Sequence, residues 1–222
     1  MRARDMLLPA PGRGQYDRRL PRQQRLAEQR ERLIAATALA TGQEALPSVA
    51  SIVELAGVGR NTFYEYFDDV KHALEATETA VLRRIDQALR DAEAMSRTPV
   101  ERWRSLARAW LAFAETEPAP MLLTLRIDSR TEGASSRGAA LLDAAFTRSL
   151  ETLRSAGVTA PLAGADRVLA VAAVGEAFAR GLARARVSAQ GRESSAFRAD
   201  DGRWERDRLE RSLADVAVRL LR

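Results

Sequence analysis

From Leu26 onward, apolar residues recur every three to four positions, and no stretch alternates in the manner of a strand. The pattern breaks at Pro47 and Ser48, from Gly57 to Gly59, at Asp68 and Asp69, at Thr98 and Pro99, and between Pro118 and Pro120. It breaks again from Gly133 to Gly138, from Gly157 to Pro161 and from Gly191 to Gly202. Each interruption carries residue types that start or stop helices. The expected fold class is all-α with about nine helices, the first three short and the later ones longer and rich in alanine. Ahead of them, Pro9, Pro11, Pro21, Gly12 and Gly14 lie among arginines without a helical period, so residues 1–24 read as a disordered basic arm.

The first three predicted helices form a group. One from Leu26 to Thr41 puts Leu33, Thr37 and Ala40 on one face, with Gly42 closing it. The second opens at Ser48, whose hydroxyl can cap the free amides of the first turn. Val49, Ile52, Val53 and Ala56 then make a core-facing stripe. Gly57 suits the left-handed conformation that ends a helix, and Val58 is an apolar plug inside the turn. A third helix, from Arg60 to Phe67, turns Phe63 and Phe67 inward.

Two helices joined through a tight glycine turn describe a helix-turn-helix. In that motif the exposed first turn of the second helix reaches base edges, while flanking hydroxyls and cations hold phosphates. Arg60, Asn61 and Thr62 occupy that turn. Their chemistry matches guanine, adenine and the thymine methyl group respectively. Tyr64 and Tyr66 fall on the side away from Phe63 and Phe67, with hydroxyls suited to phosphate oxygens. Ser48 brings a helix N-terminus, itself an anion site. The same pattern also describes all-α heads that never meet DNA and whose tyrosines merely pack.

Charge sharpens the picture through its location. Residues 1–32 hold nine arginines against four acids, and the rest of the chain is balanced, so the whole formal excess of +5 sits at the N-terminal end. A basic arm on a neutral body suits a partner bearing phosphates. The chain also has a single lysine, Lys71, which equally fits a composition that favours arginine everywhere. There is no cysteine and His72 is the sole histidine, so a Cys–His pair or a two-histidine metal site cannot form within one chain. No glycine-rich phosphate loop occurs, no apolar run approaches the ~20 residues of a membrane span, and Met1 to Leu8 is too short an apolar start for an export signal. A non-enzymatic, cytoplasmic protein without cofactor or metal is expected.

The run from Ser48 to Phe67 resembles the DNA-binding signature of the tetracycline-repressor (TetR) family. That signature has Thr or Ser, an Ile-Ala pair, Ala-Gly-Val-Ser, a variable pair, then Thr-Leu/Phe-Tyr, one residue, His or Tyr, and Phe. The likeness covers twenty contiguous residues; elsewhere only length and helical character agree. It implies three regions: the arm at 1–24, a helix-turn-helix domain at 25–70, and an effector-binding and dimerisation domain at 71–222. It further implies a homodimeric repressor on a palindromic operator, released by a small-molecule effector. By position, Ser48 corresponds to a phosphate contact, Arg60, Asn61 and Thr62 to recognition-helix contacts, and Tyr64 and Tyr66 to two backbone contacts. Gly59 stands where serine is usual. The phosphate-binding lysine usual at the start of the fourth helix falls at Val70, with Lys71 one place later as the candidate to serve in its stead, and Gln43 and Glu44 replace a glycine–aromatic pair. Arg18, Arg19, Arg22 and Arg25 precede the first helix, where an arm can lie along phosphates or enter the minor groove.

The remaining elements offer a body. A fourth helix capped by Asp69 runs to about Ala94 with Val70, Leu74, Thr77, Val81, Ile85 and Leu89 on one stripe. Trp110, Phe113, Met121, Phe146 and Phe178 either line an apolar effector pocket or are simply core. Glu176 either meets a cationic ligand or pairs with Arg180 one turn on. Val168, Ala172, Gly175 and Ala179 make a flat strip, and Leu209, Leu213, Val216 and Leu220 a second stripe. Together they suit a four-helix dimer interface or packing within one subunit. The alternative to a DNA-binding regulator is a helical protein-interaction or ligand-binding module without sequence-specific DNA binding.

Overall fold

The structure is a computed structural model that describes residues 22–43, 46–96, 98–125, 136–155 and 165–190. Eight helices and no strand occur among the described residues: α1 (Arg22–Gln43), α2 (Val49–Ala56), α3 (Arg60–Tyr64), α4 (Val70–Ala94), α5 (Pro99–Thr116), α6 (Pro118–Thr124), α7 (Arg137–Ser155) and α8 (Ala165–Gln190). The all-α expectation holds. The expected ninth helix, with Leu209, Leu213, Val216 and Leu220, falls outside the described residues, as does the expected arm up to residue 21. The chain divides into two compact units, residues 1–81 and 82–222, the division falling inside α4.

In the first unit, α1 starts at Arg22, four residues before the expected Leu26, and runs beyond Gly42. Leu33, Ile34, Ala36 and Ala40 pack against Ile52, Val53 and Ala56 of α2, Phe63 of α3, and Phe67 and Ala73 beyond it. The stripes read from the sequence face this core, with Val49 only partly buried. Thr37 sits in this apolar face with its hydroxyl satisfied, donating to the Leu33 carbonyl at 2.8 Å. The third helix is shorter than the expected Arg60–Phe67 and ends at Tyr64. The Tyr66 amide bonds back three residues to the Phe63 carbonyl at 3.0 Å, tightening the chain so that both Phe63 and Phe67 reach the core.

The second unit is built on α5, α6, α7 and α8, with the C-terminal part of α4. Thr98 caps α5, and Glu101 returns the bond to the Thr98 amide at 3.1 Å. Trp103, Leu106, Trp110 and Phe113 of α5 are buried with Met121, Leu125, Leu142 and Phe146. The Trp103 and Phe146 rings lie 4.7 Å apart. The Trp110 indole donates to the Gly175 carbonyl of α8 at 2.9 Å. Gly138 lets α7 start directly against α6: a Cβ there would meet the Thr124 carbonyl at 3.1 Å. At the α5–α6 corner Glu117 is 4% exposed and takes Arg84 of α4 at 3.0 and 3.4 Å, a two-pronged pair of the kind a buried carboxylate needs.

Candidate nucleic-acid interface

The helix-turn-helix geometry is set by its caps. Ser48, in extended conformation, accepts the Ser51 amide at 3.1 Å, while Ser51 Oγ accepts the Ser48 amide at 3.0 Å. The reciprocal box uses serine where glutamate is usual, which is why Ser51 carries no signal in the sequence. Gly57 closes α2 in the left-handed region, φ 65° and ψ 35°, a conformation that costs other residues energy. Val58 packs against the core beneath the turn. Gly59 takes the cap position of α3 without a side-chain bond, at an ordinary φ of −83°.

Phe63 anchors α3 from below, fully buried, and Arg60, Asn61 and Tyr64 are exposed on its other side, with Thr62 half-buried. Tyr64 is 58% exposed, its ring edge-on to Phe63 at 5.4 Å. Ser48, Arg60, Asn61 and Tyr64 are thus all exposed in the helix pair, as the sequence places them. Lys71, in the first turn of α4, is also exposed and lies 3.8 Å from Glu75. Asp69 caps α4 by accepting the His72 amide at 2.7 Å. His72 Nδ1 lies 3.2 Å from an Asp68 carboxylate oxygen, so the histidine side chain, from the first turn of α4, folds back on the turn between α3 and α4.

Tyr66 differs from its expected placement beside Tyr64. It is half-buried against the core, and its hydroxyl donates to Gln29 Oε1 of α1 at 3.0 Å. Burial, with a smaller contribution from Glu65, holds its phenol above the usual tyrosine range, so it remains a donor. The neighbouring Phe67 ring carries the Arg30 guanidinium at 5.9 Å. Gln29 and Arg30 escaped the sequence reading. Gln29 nevertheless extends the Leu33, Thr37 and Ala40 stripe one turn toward the N-terminus, where a polar residue on an apolar face needs a partner.

In the second unit Trp110, Phe113, Met121 and Phe146 are fully buried and Phe178 half-buried. Glu176 pairs with Arg180 and accepts the Ser136 hydroxyl at 3.2 Å. Gly175 and Ala179 are buried within this chain, whereas Ala177, Gly181 and Ala185 of the same helix are exposed. Val168 and Ala172 side chains lie outside the described residues. Among the described residues no group of three His, Cys, Asp or Glu could hold a metal, and no helix is long and apolar enough to cross a membrane.

No model of a known protein family and no curated protein sequence matches the chain. Solved structures do. A putative TetR-family transcriptional regulator from Syntrophomonas wolfei superposes with a TM-score of 0.61 at 15% identity, covering 86% of this chain and 96% of its own. The fatty acid degradation regulator FadR from Bacillus halodurans gives 0.57 at 15% identity over 83% and 97%. A TetR-family regulator from Pectobacterium atrosepticum gives 0.54 at 23% identity over 91% and 98%. The chain has the fold of the TetR-family transcriptional regulators.

Proposed function

We propose that the chain is a DNA-binding transcriptional regulator, acting as a homodimer on a palindromic operator and released by a small-molecule effector. The observation that carries this reading is the helix pair itself. A capped α2, a left-handed glycine turn and a five-residue α3 anchored by Phe63 leave Arg60, Asn61 and Tyr64 exposed on one short helix. Such a helix fits the major groove, with Arg60 and Asn61 at base edges, Thr62 beside them, and Ser48, Tyr64 and Lys71 on phosphates. Residues 25–70 serve as the reading head, and 71–222 hold the effector and the partner subunit. The exposed Ala177, Gly181 and Ala185, four apart on α8, let a second copy approach closely. The effector is an apolar or amphipathic molecule taken up in the second unit. Its influence on DNA affinity is bounded by its differential affinity for the two states of the protein. The cytoplasm, where such a regulator meets DNA, is its compartment.

Two substitutions test the division of labour. A duplex recovered by selection from random sequence with the whole protein serves as the operator. Arg60→Ala should relax the preference at one or two base pairs, by about 1–3 kcal/mol each. Tyr64→Phe should weaken all sequences alike. Equal, sequence-independent losses from both would contradict the assignment of Arg60 to a base.

A further inference from the structure

We infer that Tyr66 is a positioning residue for the recognition helix, held by Gln29, and that DNA specificity depends on this bond between α1 and the end of α3. The inference rests on the regulator reading and changes the part that one of its residues plays there.

α3 has five residues, too few to be ordered by its own hydrogen bonds, and no side chain caps its start. Its orientation therefore comes from what it is packed on. Phe63 fixes the middle of the helix to the core, and Phe67 re-enters that core three residues beyond its end, so the direction of the exposed face depends on how the segment after Tyr64 is held. The far end is gripped by consecutive residues of α1: Gln29 accepts the Tyr66 hydroxyl at 3.0 Å, and the Arg30 guanidinium lies 5.9 Å above the Phe67 ring. Tyr64, in contrast, makes its ring contact with Phe63 and leaves its remaining surface exposed. The two tyrosines, similar in the sequence, thus divide the work: Tyr64 faces outward to the phosphates, and Tyr66 ties the helix to α1.

Loss of the tie has a distinctive signature. Bidentate contacts from Arg60 and Asn61 require fixed geometry, whereas phosphate attraction is long-range and tolerant of rotation. Removing the Tyr66–Gln29 bond should therefore lower affinity for the selected duplex and leave affinity for scrambled DNA nearly untouched. A neutral hydrogen bond corresponds to roughly a three- to tenfold loss.

The test is a double-mutant cycle in the full chain, read by anisotropy on the selected and scrambled duplexes, with thermal melts alongside. Tyr66→Phe and Gln29→Leu should each reduce the ratio of the two affinities by about three- to tenfold, and the double variant should lose no more than either alone. Gln29→Glu, which keeps the acceptor, should retain the ratio even if its melting temperature moves; a merely structural role would track the melting temperature instead. An undiminished Tyr66→Phe loss in the Gln29→Leu background, equal on both duplexes, would place the hydroxyl on a phosphate and overturn the inference. Selective binding by the unaltered protein with an unchanged ratio in Gln29→Leu overturns this inference alone. Failure of the unaltered protein to discriminate the two duplexes overturns the regulator reading and this inference together.

Discussion

Gly57 and Gly59 flank Val58 in the turn of the helix pair, yet they are glycines for different reasons. At φ 65° Gly57 occupies a region that a Cβ penalises by about 1 kcal/mol, so Gly57→Ala should lower unfolding free energy by roughly that amount in urea. Gly59 has an ordinary extended backbone, and a Cβ built on it meets nothing within 4 Å. Gly59→Ser should supply the missing cap and stabilise by a few tenths of a kcal/mol, on the order expected for serine over glycine at this position. A loss of stability in Gly59→Ser would mean that the α3 cap is not built as described. The first glycine is legible in the sequence, because a helix stripe ends there. The second reads only as a departure from the family pattern. Tyr66 shows the limit of such reading: grouped with Tyr64 as a phosphate contact, it stands three residues after Phe63, a spacing that shares a helix face, and its hydroxyl meets Gln29.

Among the elements, α2 was the most legible, since its stripe, its serine cap and its terminal glycine all agree. α1 and α3 each differ from expectation at an end, the place where a hydrophobic period says least. In the second unit the periods of α5, α6 and α7 mark buried faces, but they do not reveal which polar residues join the helices. Arg84 and Glu117 are 33 residues apart in the chain, and neither stands out by pattern. Their pairing has a measurable consequence. Arg84→Met removes the two hydrogen bonds that Arg84 gives to a carboxylate that is 4% exposed, and the cost should be about 2 kcal/mol. Arg83→Met, at an exposed neighbouring position, should stay within about 0.5 kcal/mol. Similar small losses from both would show that the corner is held by packing alone. For α8, the sequence suggested the strip through Gly175 and Ala179, and these pack inside the subunit. The exposed strip through Ala177, Gly181 and Ala185 is offset by two residues, a shift that small residues recurring on several faces of the helix do not disclose.

Over the whole molecule, the excess charge is concentrated where the first helical unit begins. The formal excess of +5 lies within residues 1–32, ahead of a body whose charges balance. A protein that neutralises phosphates releases counterions, and its affinity falls steeply with salt. Protein-interaction modules of the same shape have no reason to tell one duplex from another. The decisive measurement is a fluorescence-anisotropy titration of the full chain against the selected duplex and a scrambled one, from about 50 to 200 mM salt. The expected result is binding to the selected duplex at least ~10³-fold tighter than to the scrambled one, weakening by roughly 10³-fold across that salt range if about six phosphates are contacted. Weak binding of equal strength to both duplexes would contradict the assignment of this helix pair to operator recognition.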